Sequence, residues 1–150
     1  MKRNKWIIGS TDKVDFPELL LEDVACKIDT GARTSAIHCH HVRLIEKNGE
    51  EYLAFKLLDP QHPSYQKKTF KVKDFSERKI RNSFGQSEYR YVIKTTVKIF
   101  DEEVVAEFTL ADRERMRYPV LLGKTFLKGK FMVDVSRNNL SHKYKKKRTK

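Results

Sequence analysis

Lys27-Ile28-Asp29-Thr30-Gly31-Ala32-Arg33-Thr34-Ser35-Ala36-Ile37-His38 is the stretch on which the fold turns. It continues the apolar run Val24-Ala25-Cys26, so a β-prone segment leads directly into Asp29. An aspartate at a strand end projects into a cleft. The threonine hydroxyl beside it can hydrogen-bond neighbouring backbone, and Gly31 lets the chain turn sharply and approach another chain closely. Ala32 has no bulk to fill such a cleft, and the residues that follow are small or polar.

Short apolar segments separated by turn chemistry surround this stretch. Trp6-Ile7-Ile8-Gly9 and Val14-Asp15-Phe16-Pro17 read as strands closed by glycine and proline. Residues 36–46 and Tyr52-Leu53-Ala54-Phe55-Lys56-Leu57-Leu58 flank Asn48-Gly49, a type I′ hairpin signal. Asp59-Pro60-Gln61-His62-Pro63-Ser64 is a loop. Thr69-Phe70-Lys71-Val72 alternates, and residues 81–86 carry turn residues. Residues 88–100 alternate at length, with Tyr89, Tyr91, Ile93, Thr95, Val97 and Ile99 on one face, and 104–110 is the hairpin partner. Tyr118-Pro119-Val120-Leu121-Leu122-Gly123 reads as a buried strand, Thr125-Phe126-Leu127-Lys128 as a short helix and Phe131-Met132-Val133-Asp134-Val135 as the last strand. This pattern predicts an all-β barrel or sandwich.

The chain has 150 residues and a mass of 17.7 kDa, the size of one domain with a real core. Its net charge of +12 is uneven: residues 143–150 hold six positive and no negative charges. Like charges repel, so a folded domain over 1–142 and a disordered basic tail over 143–150 are expected. The charge alone invites nucleic acid, but no base-reading motif accompanies it, so nucleic acid is not the expected partner. No apolar run exceeds four residues, which excludes a bilayer-spanning helix. Cys26 and Cys39 make no disulfide scaffold, and reduced thiols in the cytoplasm are expected.

Asp29-Thr30-Gly31-Ala32 resembles the signature of retropepsin-like aspartic proteases. A second element stands in the order that fold has it: Val120-Leu121-Leu122-Gly123-Lys124-Thr125-Phe126-Leu127, whose Gly123 comes 94 residues after Asp29, resembles the apolar-apolar-Gly segment beside the aspartate loop. The chain is most similar to a bacterial and archaeal family of so-called ATP-dependent zinc proteases, retropepsin-like domains often linked to glutamate-ligase (ATP-grasp) partners. Gly9, Pro17, residues 27–38, 81–85, Asp112-Arg113, Met116, 118–123 and 131–136 carry that likeness. Lys124 departs from the expected arginine, and His38-Cys39-His40-His41 is more crowded than expected.

The resemblance implies a closed β-barrel of the acid-protease kind, with one short C-terminal helix and a flap hairpin. It implies an aspartic endopeptidase in which Asp29, Thr30 and Gly31 form the catalytic loop. One Asp-Thr-Gly is half a site. Two carboxylates about 3 Å apart must share a proton, so Asp29 needs a twin across the two-fold axis of a homodimer. Ala32, Arg33, Ser83, Gly85 and Arg113 are the expected substrate-binding residues, with the flap at 81–90.

Two other readings stand beside this one. His38, Cys39, His40 and His41 are zinc-ligand types and would serve a zinc-dependent peptidase. Strand alternation, however, puts His38 and His40 on one face and Cys39 and His41 on the other. No metal site and no cofactor is therefore assigned. The barrel could also serve as a non-catalytic binding module. Arg81, Arg90, Arg113, Arg115 and Arg117 offer bidentate partners for carboxylates. With the family's ligase neighbours, they imply an acidic, glutamate-rich protein or peptide substrate and a glutamate-ligase partner.

Overall fold

The computed structural model describes residues 5–58, 60–63, 65–81, 84–111 and 117–148. β1 (Trp6–Ile8) pairs in parallel with β11 (Phe131–Val133) in a small two-stranded sheet. The main sheet holds β2 (Thr11–Phe16), β3 (Leu21–Ile28), β4 (Ser35–Lys47), β5 (Glu50–Leu57), β6 (Phe70–Val72), β7 (Phe75–Arg81), β8 (Ser87–Ile99), β9 (Glu102–Ala111) and β10 (Val120–Leu122). Six of these strands pair in a ring, in the order β10, β3, β2, β8, β9, β4 and back to β10. The chain is thus mostly β, as expected.

Alternation makes these strands. On β8, Ile93, Thr95, Val97 and Ile99 are buried, while Tyr89 at its start is exposed. Phe16, Phe55 and Phe108 fill the centre with Ile8, Ile37, Leu53 and Leu122, all fully buried. Asn48 and Gly49 both take positive φ, the conformation their hairpin requires.

Two elements escape the pattern. β7 reads Phe-Ser-Glu-Arg-Lys-Ile-Arg and, among the described residues, pairs with β8 alone. It covers little core, so no apolar period marks it. The expected flap turn at 81–90 is therefore a hairpin of two real strands, with Phe84 and Gly85 near its tip. Ser83 lies outside the described residues.

The second difference is the C-terminus. The sequence predicts disorder over 143–150, but Leu140–Arg148 forms a helix, α2, packed on β1 and β2. Its partners lie far away in the chain. The buried carboxylate of Asp12 accepts from the backbone N–H of Ser141 (2.9 Å) and of His142 (3.1 Å), satisfying two of the orphan donors of the first turn. Phe100 N–H donates to Ser141 Oγ at 2.7 Å. Lys145 Nζ donates to Asp15 (2.9 Å), Glu22 (3.2 Å) and Asp23 (3.0 Å). Burial opposes the Lys145 charge, yet these carboxylates outweigh it and hold the ammonium above its usual range. Tyr144 meets the edge of Trp6, which stacks on Phe100 at 4.5 Å.

Candidate active site

β3 and β10 run in parallel, pairing Cys26 with Val120 and Ile28 with Leu122. Both strands end at the site. The chain leaves β3 at Asp29, whose N–H still donates to Leu122 O at 2.9 Å. Asp29 Oδ1 then accepts from Gly31 N–H (2.9 Å) and Ala32 N–H (3.2 Å), folding 29–32 into a tight loop. Oδ2 accepts no hydrogen bond among the described residues. Asp29 is half-buried, and Thr30 and Gly31 are exposed at the loop's crest.

The loop is fastened from behind by the second predicted element. Lys124 N–H donates to Ala32 O (2.7 Å) and Thr125 N–H to Arg33 O (3.1 Å). Gly123 N–H donates to the Oγ of Ser35, which is buried. A Cβ at Gly123 would stand 2.8 Å from both Ala32 O and Thr34 O, so only glycine fits. The short helix α1 (Lys124–Leu127) starts here, one residue ahead of the predicted start.

In front of the loop lies a cleft of about 1350 Å³. Gly31, Ala32 and Arg33 line one side, and Arg78, Ile80 and Arg81 of the β7 hairpin strand face them. Arg90 joins them, whereas Arg117 lies over the ring of Tyr118 instead, 5.6 Å from its centroid. Arg113 and Arg115 lie outside the described residues. Arg33 lines the cleft without an ion pair to Asp29 among the described residues. Sequence reading missed Arg78, Lys94 and Lys130, which also line the cleft. Arg78 stands on β7, which has no apolar marker, while Lys94 on β8 and Lys130 just before β11 reach the cleft only through tertiary pairing.

The His38–Cys39–His40–His41 donors do not converge. His38 is buried, and Cys39 Sγ turns into the interior towards Ala111 O. Simple alternation fails at His41, where a bulge with φ 53° shifts the register of β4. This brings the His41 ring to 5.2 Å from that of His40, against 6.3 Å for His38 and His40. His40 Nδ1 is buried with no hydrogen-bond partner among the described residues, but a zinc site needs three or four donors around one point. Among the described residues, no three His, Cys, Asp or Glu side chains could hold a metal ion. Among the described residues these four side chains therefore offer no converged donor set for zinc. No helix among the described residues is long and apolar enough to cross a membrane.

Residues 7–144 match the family model of RimB, a retropepsin-like aspartic endopeptidase. The chain is 35% identical over 136 residues to a probable alpha-L-glutamate ligase of Shewanella pealeana, covering 91% of this chain and 30% of that protein. It is 32% identical over 158 residues to a probable alpha-L-glutamate ligase of Desulfotalea psychrophila, covering 97% of this chain and 33% of that protein. The chain thus spans about a third of the length of these curated relatives. Its fold is shared with the crystal structure of Lpg0085, a Legionella pneumophila protein of unknown function (TM-score 0.72, 24% identity, 92% of this chain and 99% of that one covered).

Proposed function

The chain belongs to the RimB-like family of retropepsin-like aspartic endopeptidases, and on that premise we propose that it hydrolyses peptide bonds as a homodimer with Asp29 of each copy at the two-fold axis. The observation that carries this reading is the loop itself. Two backbone N–H groups hold Asp29 Oδ1, Oδ2 accepts no hydrogen bond among the described residues, and the next part of the loop, Gly31 to Arg33, lines an open cleft. The ring of paired strands supports a closed barrel behind it.

Across the dimer, the two carboxylates share one proton. The ionised one takes a proton from a bound water, whose oxygen attacks the scissile carbonyl carbon. The protonated one donates a hydrogen bond to the carbonyl oxygen as its charge develops. Collapse of the tetrahedral adduct breaks the C–N bond, and the leaving nitrogen takes a proton. Thr30, exposed at the loop's crest, ties the two loops together, and Gly31 lets them approach. The β7–β8 hairpin, with Gly85 near its tip, closes over substrate and excludes water.

The substrate is an acidic, glutamate-rich peptide. Seven of the described residues that line the cleft are Lys or Arg, and Glu107 is their single acid. The name of the longer relatives, probable alpha-L-glutamate ligase, points to the same amino acid and supports a ligase partner. The buried thiols of Cys26 and Cys39 suit a reducing cytoplasm.

Asp29→Asn tests the reading. Hydrolysis of an oligoglutamate peptide should disappear while sedimentation still reports a folded dimer, and a chelator should leave the wild type active. Undiminished cleavage by the variant, a monomeric active species or loss of activity with chelator would each overturn it.

A further inference from the structure

The hairpin wall of the cleft has an unusual cross-strand register. Arg78 on β7 stands directly opposite Arg90 on β8, and Lys94 on β8 stands opposite Glu107 on β9. Opposed residues on antiparallel strands share a face, and so do residues four apart on one strand, so all four side chains lie on the side that lines the cleft. Like charges directly opposite each other destabilise a sheet. Here the repulsion is relieved from within the chain. Arg78 donates from one terminal nitrogen to both Glu107 oxygens, at 3.2 and 3.3 Å, reaching across β8 to do so. Arg90 Nε donates to Glu88 at 2.6 Å. Neither pair is deeply buried: the Arg78 and Glu107 side chains keep 39% and 41% of their exposure.

An exposed ion pair contributes little stability, so it alone does not account for two opposed guanidiniums at the wall of a substrate cleft. We propose that Arg78 and Arg90 are a carboxylate clamp that determines specificity, and that Glu107 occupies Arg78 until an acidic side chain of the substrate replaces it. The exchange swaps one carboxylate for another, so an acidic peptide enters without leaving Arg78 unpaired. A neutral side chain seated there displaces Glu107 and covers Arg78 with no carboxylate beside it, and the desolvated, unpaired guanidinium is the penalty that discriminates. Thus Glu107 acts as a stand-in for substrate and as a filter against neutral peptides. The assignment deepens the acidic-peptide reading above and rests on it for the occupant.

The test is calorimetric binding of hexaglutamate and hexaglutamine peptides to full-length Asp29→Asn protein, where no hydrolysis intervenes. Arg78→Gln should weaken hexaglutamate binding about tenfold or more, the loss expected for a charge-assisted hydrogen bond. Arg78→Lys keeps the charge without the fork and should fall between. Glu107→Gln preserves shape and should tighten hexaglutamate about two- to fivefold, because the competing exposed pair is weak. It should also narrow the preference over hexaglutamine. Unfolding midpoints and dimer mass establish that each variant is folded. Glu107→Gln weakening hexaglutamate as Arg78→Gln does, or both variants binding like the parent, overturns the clamp. If wild-type protein binds hexaglutamate with this pattern but never cleaves it, the clamp stands and the peptidase reading falls.

Discussion

Replacing Ser35 with alanine removes one oxygen and tests how the aspartate loop is held. Ser35 is 2% exposed, and its Oγ accepts the Gly123 N–H at 3.0 Å. The bond lies in the interior, so the Gly123 N–H loses a buried acceptor. A buried N–H left without a partner costs about 1–3 kcal/mol. For a chain of this size, each kcal/mol moves the unfolding midpoint by about 2–4 °C, so Tm should fall by about 2–12 °C. The assay is thermal unfolding followed by circular dichroism at several protein concentrations, since a dimer makes Tm concentration-dependent. The control is Ser10→Ala, which loses an exposed bond to Arg137 O of 3.3 Å and should cost less than about 0.5 kcal/mol. A Ser35→Ala midpoint within about 1 °C of wild type would refute the claim that this hydrogen bond fastens the loop to β10 and α1.

Three further outcomes follow from the helix and the core. Lys145→Met should undock α2, because it leaves the nearly buried Asp15 carboxylate without its cation. The expected loss is about 1–3 kcal/mol, read as altered emission from the single tryptophan, Trp6, against which Tyr144 packs. Acid should loosen the same contact. Burial lifts the Asp23 carboxyl, but the hydrogen bond and charge of Lys145 outweigh it and hold it below the usual 3.8. Its stabilising contribution is therefore present above 3.8 and lost as pH falls through the lowered value. Asp12 has the opposite sign: burial pushes it up more than the N–H groups of Ser141, Lys13 and His142 pull it down, so its contribution is lost as pH rises. In an acid titration followed by Trp6 emission, Asp23→Asn should start less stable and show a flatter acid limb, and an unchanged limb would count against this account. Finally, Cys26 and Cys39 are buried, and burial raises the Cys26 thiol well above its usual value. A thiol reagent should label neither until the chain unfolds, and rapid labelling of the native protein would contradict that burial.

The turn of the chain at Asp29 and the close packing at Gly123 are legible in the sequence. Asp29, Gly31 and Gly123 announce themselves because their roles are local: a strand must end, a loop must turn, and a glycine must admit backbone that approaches too closely for a Cβ. The hairpin strand β7 was not legible. Its residues face solvent and the cleft rather than core, so hydrophobic alternation, the main sequence signal for strands, is missing. His41 misled in a different way. One bulge residue with positive φ breaks the period of two, and no pattern count anticipates it.

The sequence by itself determined a mostly β chain with one aspartate loop and its supporting glycine segment. Strand periodicity, turn residues and the Asp-Thr-Gly-Ala stretch are encoded by neighbours in the chain. Only the tertiary structure decided that the basic C-terminus is a docked helix. The charges that hold it, Asp12, Asp15, Glu22 and Asp23, lie more than 100 residues away, and like-charge repulsion within 143–150 was all the local reading contained. Only the tertiary structure set Arg78 against Arg90 and gave each a glutamate, because cross-strand register is a property of pairing. Net charge counts such residues equally wherever they fall. Folding turned part of an undifferentiated +12 into a clasp on one side of the molecule and a cationic cleft on another.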